Sequence, residues 1–186
     1  MSLISEIEKL VRTNSPSVEK FIPGHTYIPV TSKTIAIDDK VRLIEACLDG
    51  WFTSGRFTEK FESELSSTLR VLSKALFVNS GSSANLLAVS SLCSGMAEQF
   101  GFKPIEKGSE AITVAASCPT TVNPLFQNGL VPVFVDIDKN TLNATVESIK
   151  AAQTKKTRLV ILAHTLGSPY DAIELSRWCK SQDIAL

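Results

Sequence analysis

Four short apolar runs, at 75–78, 111–115, 131–136 and 158–163, alternate with four segments of helical spacing, at 82–94, 119–128, 145–153 and 171–181. That order restricts the chain more than any other feature. A strand followed by a helix and then another strand returns to the same sheet by a crossover, which favours parallel pairing with helices over both faces. The predicted fold class is therefore α/β, three layers around a largely parallel sheet. Ahead of it stand a helix at about 2–13 and an irregular segment with Pro16, Pro23, Gly24 and Pro29. A helix capped by Asp38 and ended by Gly50 follows, then one placing Phe57, Phe61, Leu65 and Leu69 on a single face. Asp171 followed by Glu174 gives the last helix a capping-box-like start. Asp183-Ile184-Ala185-Leu186 opens what should be a further strand, so the sequence is expected to be the N-terminal part of a longer protein.

At 186 residues the chain can bury a real core. Its 19 basic and 19 acidic side chains cancel without like-charge runs, which argues against nucleic acid and anionic membrane as partners. No basic-then-apolar leader opens the sequence, and no apolar stretch has bilayer-spanning length. Cys47, Cys93, Cys118 and Cys179 are far apart, without a Cys-x-x-Cys pair. They read as reduced, mostly buried thiols of a cytoplasmic protein, with no metal site.

The densest chemistry lies in Asn79-Ser80-Gly81-Ser82-Ser83-Ala84-Asn85, a small-residue turn between an apolar run and a helix. The first amides of a helix lack backbone partners and carry partial positive charge, so this turn can receive an anion such as phosphate. The plainer alternative is that Ser80 or Ser82 merely caps the helix. Three further strand ends converge on the same side of such a sheet: Ser117-Cys118-Pro119, Asp136-Ile137-Asp138 and His164-Thr165-Leu166-Gly167. Asp136 and Asp138 are either turn-forming or catalytic carboxylates. His164 is either structural or a contact to a bound group. Cys118 is either a small packed thiol or a nucleophile. Trp51, Phe52 and Phe57 suit packing or an interface better than a ligand cage. The turn lacks the Gly-x-Gly-x-x-Gly spacing that a nicotinamide dinucleotide needs.

Trp51-Phe52-Thr53-Ser54-Gly55-Arg56-Phe57, Asn79 to Asn85, Pro132-Val133-Phe134-Val135-Asp136-Ile137-Asp138 and His164-Thr165-Leu166-Gly167 together resemble the DegT-type sugar aminotransferases. Asn85-Leu86-Leu87-Ala88 and Pro119-Thr120-Thr121-Val122-Asn123-Pro124 resemble one branch, the CDP-4-keto-6-deoxyglucose 3-dehydratases of lipopolysaccharide and O-antigen sugar synthesis. The resemblance runs from about Tyr27 to Leu186. It implies the large domain of the aspartate-aminotransferase fold (pyridoxal-phosphate fold type I). Residues 1–37 would be an N-terminal helix and arm, and 38–186 the first part of the cofactor-binding domain, without its remainder or a small C-terminal domain. It implies pyridoxal 5′-phosphate or pyridoxamine 5′-phosphate held by Gly81, Ser82 and Ser83, with Cys118 and His164 bordering the ring. The family usually has an aromatic residue at the position of Cys118, and a thiol has no face to stack. Trp51, Ser54 and Gly55 would contact a nucleotide-linked sugar, in a homodimer, with a reductase partner for a 3-dehydratase.

In that pattern the acidic partner of the pyridine nitrogen falls after Leu186. So do the Schiff-base lysine, which is histidine in the dehydratase branch, and the cysteines of an iron–sulfur cluster. The resemblance therefore implies C3 dehydration or amino transfer by a full-length protein, and no complete reaction by this stretch alone. The reading from a different class is a non-catalytic remnant that at most binds phosphate or a full-length partner.

Overall fold

In the computed structural model, residues 2–16, 20–29, 35–70 and 74–186 are described; the rest of the irregular segment, 17–19 and 30–34, lies outside them. The chain forms two compact units, Met1–Phe77 and Val78–Leu186.

The first unit is helical. Helix α1 (Leu3–Asn14) starts at Ser2, whose hydroxyl accepts from the Ser5 amide. It packs on α2 (Ile37–Leu48), and Lys40 Nζ reaches Ser15 Oγ at 2.9 Å. Asp38 is not the cap of α2. Ala36 takes that place, and Asp39 completes the turn by accepting the Ala36 amide at 2.8 Å. Asp38 instead adds negative charge to the first turn, where the helix dipole favours it. Gly50 leaves α2 at a φ of +66°, a left-handed turn that glycine takes without strain. Helix α3 (Arg56–Thr68) follows.

Residues 75–78, a predicted strand, pair with no strand among the described residues. Side chains of α3 hold the run instead: the Ala75 amide donates to Ser66 Oγ (2.8 Å) and the Phe77 amide to Glu62 Oε1 (2.7 Å). An apolar run sets burial preference, but a ladder also needs a partner strand.

The second unit is the α/β part. Helix α4 (Gly81–Cys93) precedes β1 (Glu110–Val114), and α5 (Pro119–Gln127) leads to β2 (Val131–Val135). Then come α6 (Val146–Ala151), β3 (Thr157–Val160) and α7 (Ala172–Ser181). The strands are parallel in the order β2-β1-β3, with Ile112 opposite Val133 and Val160. Ala185 adds one parallel rung beside Leu159, and the amides of Ala185 and Val160 are both engaged there.

Alternation along β1 builds two cores. Ala111 faces Val89 of α4 and Leu125 of α5, with Ile105, Leu130 and Leu159. Ile112 and Val114 face Ile149 of α6 and Leu175 and Cys179 of α7. Successive strand side chains point to opposite faces, so burial on both sides makes this a three-layer sandwich. Asp171 caps α7 by accepting the Glu174 amide at 2.9 Å, as the sequence predicts.

Candidate functional site

Helix α4 begins with an unusually self-contained turn. Ser80 Oγ accepts from the Ser83 amide at 3.1 Å, and Ser83 Oγ donates to Asn79 Oδ1 at 2.6 Å. The capping reading of the turn falls to Ser80 and not to Ser82. Ser80 is the cap. The Gly81 and Ser82 amides and the Ser82 hydroxyl have no hydrogen-bond partner among the described residues. Nothing lies within 4 Å of where a Gly81 Cβ would stand, so the approach is open.

The start of α5 lies alongside. Asn85 Nδ2 donates to the Thr120 carbonyl at 3.4 Å, bringing the first turns of α4 and α5 together. Cys118 is the N-cap residue of α5, with Pro119 at its first position. The reading of Cys118 as a packed thiol is corrected: it is exposed, because a cap residue ahead of proline stands outside the helix. Its sulfur lies 3.1 Å from Thr120 Oγ1, and that hydroxyl, with the Thr120 backbone, holds the thiol below its ordinary pKa. Cys47 is exposed as well, Cys93 is half-buried, and only Cys179 is buried, its thiol pushed up to about 11 by burial.

Between the carboxyl ends of β1 and β3 an open pocket of about 530 Å³ is lined by Ala115, Ser117, Cys118, Thr121, His164 and Thr165, among others. Cys118 and His164 therefore share one pocket, and the Asn85–Thr120 contact ties α4 to the start of α5, whose Cys118 and Thr121 line it. His164 stacks on Tyr170, with ring centroids 4.4 Å apart and planes at 27°. Burial raises the Tyr170 phenol above its ordinary value, with Cys179 adding to the shift. Asp138 turns out to be a turn carboxylate, accepting the Asn140 and Thr141 amides at 2.9 and 3.0 Å. Asp136 is exposed and makes no side-chain hydrogen bond among the described residues. On β1, the buried Thr113 hydroxyl has no partner among them either.

Sequence reasoning singled out neither Thr121 nor Tyr170. Ser117 and Thr121 flank Cys118 and follow from the strand end once the pocket is known. Tyr170 stacks behind His164 and has no local motif.

The first unit has its own pocket, about 430 Å³, lined by Asp49, Trp51, Thr53, Gly55, Arg56 and Phe57 among others. Trp51 and Phe52 are exposed, so neither is a core aromatic. Trp51 Nε1 donates to the Ser54 carbonyl at 2.8 Å and so closes the Trp51–Gly55 loop. Arg56 is gripped by Asp49 (2.8 and 3.1 Å) and Glu45 (3.0 Å), and its guanidinium lies 4.3 Å over the Phe57 ring. Arg56, joined at Glu45 by Arg42, holds both carboxyls below their ordinary values, and its own value is raised in return. Carboxyls depressed in the folded state stabilise it above their unfolded pKa, and that contribution is lost as pH falls through the folded values. In a Trp178→Phe background, Trp51 emission is therefore expected to change as pH drops below about 4. Arg56→Gln should show the loosened emission already at neutral pH. Flat emission down to pH about 2 would remove the clamp from the account.

Among the described residues no helix is long and apolar enough to cross a membrane, and no group of three or more His, Cys, Asp or Glu could hold a metal ion.

The model of the DegT/DnrJ/EryC1/StrS aminotransferase family matches residues 34–186. The chain belongs to this family. It is 41% identical over 174 residues to the lipopolysaccharide biosynthesis protein RfbH of Salmonella typhimurium, covering 94% of this chain and 39% of RfbH. It is 46% identical over 166 residues to dTDP-4-dehydro-2,6-dideoxy-D-glucose 3-dehydratase of Saccharopolyspora spinosa, covering 89% and 35%. Among solved structures it matches a GDP-4-keto-6-deoxymannose-3-dehydratase with a trapped PLP-glutamate geminal diamine. That match has a TM-score of 0.73 at 35% identity and covers 86% of this chain and 40% of the other. The chain thus spans well under half the length of these relatives. The expected aspartate-aminotransferase-like fold is the fold of the matched part.

Proposed function

We propose that residues 1–186 form the cofactor-cradling part of a pyridoxal- or pyridoxamine-phosphate enzyme acting on a nucleotide-linked 4-keto-6-deoxy sugar. The observation that carries this is the pairing of an unspent helix start at Gly81 and Ser82 with the Cys118–His164 pocket beside it. The residues fit the group. Gly81 leaves room for close approach, and two amides and the Ser82 hydroxyl await an anion. The neighbouring pocket has the volume for a ring. When bound, the cofactor supplies an electron sink for charge developing beside the sugar's keto carbon.

The chain's own part is binding and orientation. Gly81, Ser82 and Ser83 anchor phosphate, with Ser82 as the free hydroxyl donor and Ser83 as the brace of the turn. His164, backed by Tyr170, offers a flat ring to the pocket, and Cys118 adds a polarizable sulfur to the same lining. Trp51, Ser54 and Gly55 are our assignment for substrate contact: Trp51 and Gly55 line the first unit's pocket, and the Ser54 carbonyl holds the Trp51 ring.

Removal of the sugar 3-hydroxyl is the favoured reaction, supported by relatives named as 3-dehydratases. Amino transfer is the second reading, favoured by the family's own description. The relatives are named for dTDP- and GDP-linked sugars, which supports nucleotide-linked deoxysugars as the substrate class. A cytoplasmic homodimer, with a reductase partner for the dehydratase, completes the reading.

The test is titration of the chain with pyridoxal 5′-phosphate and with pyridoxal, followed by absorbance and thermal shift. Saturable binding of the phosphate form, about tenfold or more above pyridoxal, is expected, because the helix start recognises the phosphate. Equal affinity, or no response, would sink the assignment.

A further inference from the structure

The geometry points to Asn143 as a positioning residue that sets the His164 ring by clamping the turn behind it. Its functional half rests on the cofactor reading above. Asn143 lies in the connection after β2 and is 4% exposed. Its Oδ1 accepts the Thr165 amide at 3.3 Å, and its Nδ2 donates to the Ser168 carbonyl at 2.9 Å and to the Thr141 carbonyl at 2.9 Å. One side-chain amide thus grips both limbs of the turn that follows His164.

That turn needs holding. Leu166 has a φ of +52° and Gly167 a φ of +81°. A left-handed leucine is strained, and Leu166 is 87% exposed, so its own packing does not repay the cost. Two backbone bonds close the turn, from the Gly167 amide to the His164 carbonyl (3.1 Å) and from the Ser168 amide to the Thr165 carbonyl (2.8 Å). Beyond it, Tyr170 returns to stack on His164. The ring pair is therefore joined through the two strands of chain that Asn143 ties together. Thr165 and Leu166 also line the pocket, so loosening the turn changes the wall itself. The clamp is anchored in turn, because the Asn143 carbonyl accepts the Asp138 amide at 2.9 Å.

His25 and His164 are the only two histidines, so imidazole proton shifts in NMR report directly on the stack. The wild-type His164 ring is expected to show a ring-current displacement from Tyr170. Asn143→Ala should abolish it below the melting temperature and speed exchange of the Thr165 amide. It should also weaken pyridoxal 5′-phosphate binding about tenfold, the equivalent of one lost buried hydrogen bond. Tyr170→Leu should remove the displacement while leaving the Thr165 amide protected. If Asn143→Ala lowers only the melting temperature and the His164 shift stays, Asn143 is merely structural and the inference is overturned. Should that variant not fold, wild-type exchange decides. A protected Thr165 amide beside a freely exchanging Leu166 amide supports the clamp, and an unprotected Thr165 overturns it. A lost ring shift with unchanged cofactor affinity would support the clamp while sinking the cofactor reading of the pocket.

Discussion

Leu175→Ala should lower the stability of the second unit by about 2–5 kcal/mol, the usual range for emptying a leucine-sized space in a closed core. Leu175 is fully buried and packs with Ile112, Ile149, Val160 and Cys179, so it joins α7 to the central strand, to β3 and to α6. The neighbours belong to four elements that cannot all shift into the gap. In thermal melts the loss should appear as a drop of at least about 10 °C for a unit of this size. Ile173, two residues away on the same helix, is 67% exposed. Ile173→Ala should stay within about 0.5 kcal/mol. Equal effects from the two substitutions would show that α7 does not pack as described.

Ser82→Ala should weaken pyridoxal 5′-phosphate binding about 5- to 150-fold, corresponding to about 1–3 kcal/mol for a hydrogen bond to a charged oxygen. Fold stability should hardly move, because Ser82 is exposed and its side chain braces nothing among the described residues. Ser80→Ala should behave differently. It removes the cap, so it should cost about 1 kcal/mol of stability along with any effect on binding. Unchanged affinity on Ser82→Ala would take this hydroxyl out of the phosphate site. The contrast between two serines two residues apart tests the division of labour seen at this turn.

Much of the architecture was legible because local rules and tertiary demands agreed. Gly50, Pro119 and Asp171 bound their helices as turn and cap chemistry requires. The run at 111–115 became the buried central strand, and the run at 131–136 an edge strand, Val131–Val135, held by pairing with it although Val131 and Phe134 stay exposed. The run at 158–163 joins the sheet only in part, its strand being Thr157–Val160. Residues 75–78 show where periodicity fails: Ser66 and Glu62 satisfy the amides of Ala75 and Phe77 from 9 and 15 residues away, a fact that the run itself does not carry.

The cap of α4 was legible for a related reason, since Ser80 and the amide it accepts belong to one short segment. Cys118 was misjudged because cysteine is usually buried, whereas a cap ahead of proline is held outward. Asn143 and Tyr170 could not be found locally. Their roles depend on partners 22 to 25 residues away for Asn143 and on a return path past Gly167 for Tyr170.

The strand order β2-β1-β3 also bears on how the polypeptide is made. Synthesis runs from the N-terminus, so β1 is the first of the three to leave the ribosome, and it ends up in the middle. β2 follows after one helix and finds a free edge on one side. β3 emerges later and finds the other edge still open, so no earlier pairing has to be undone to admit it. The topology thus lets the sheet be built outward from its oldest strand, each later one meeting an open edge.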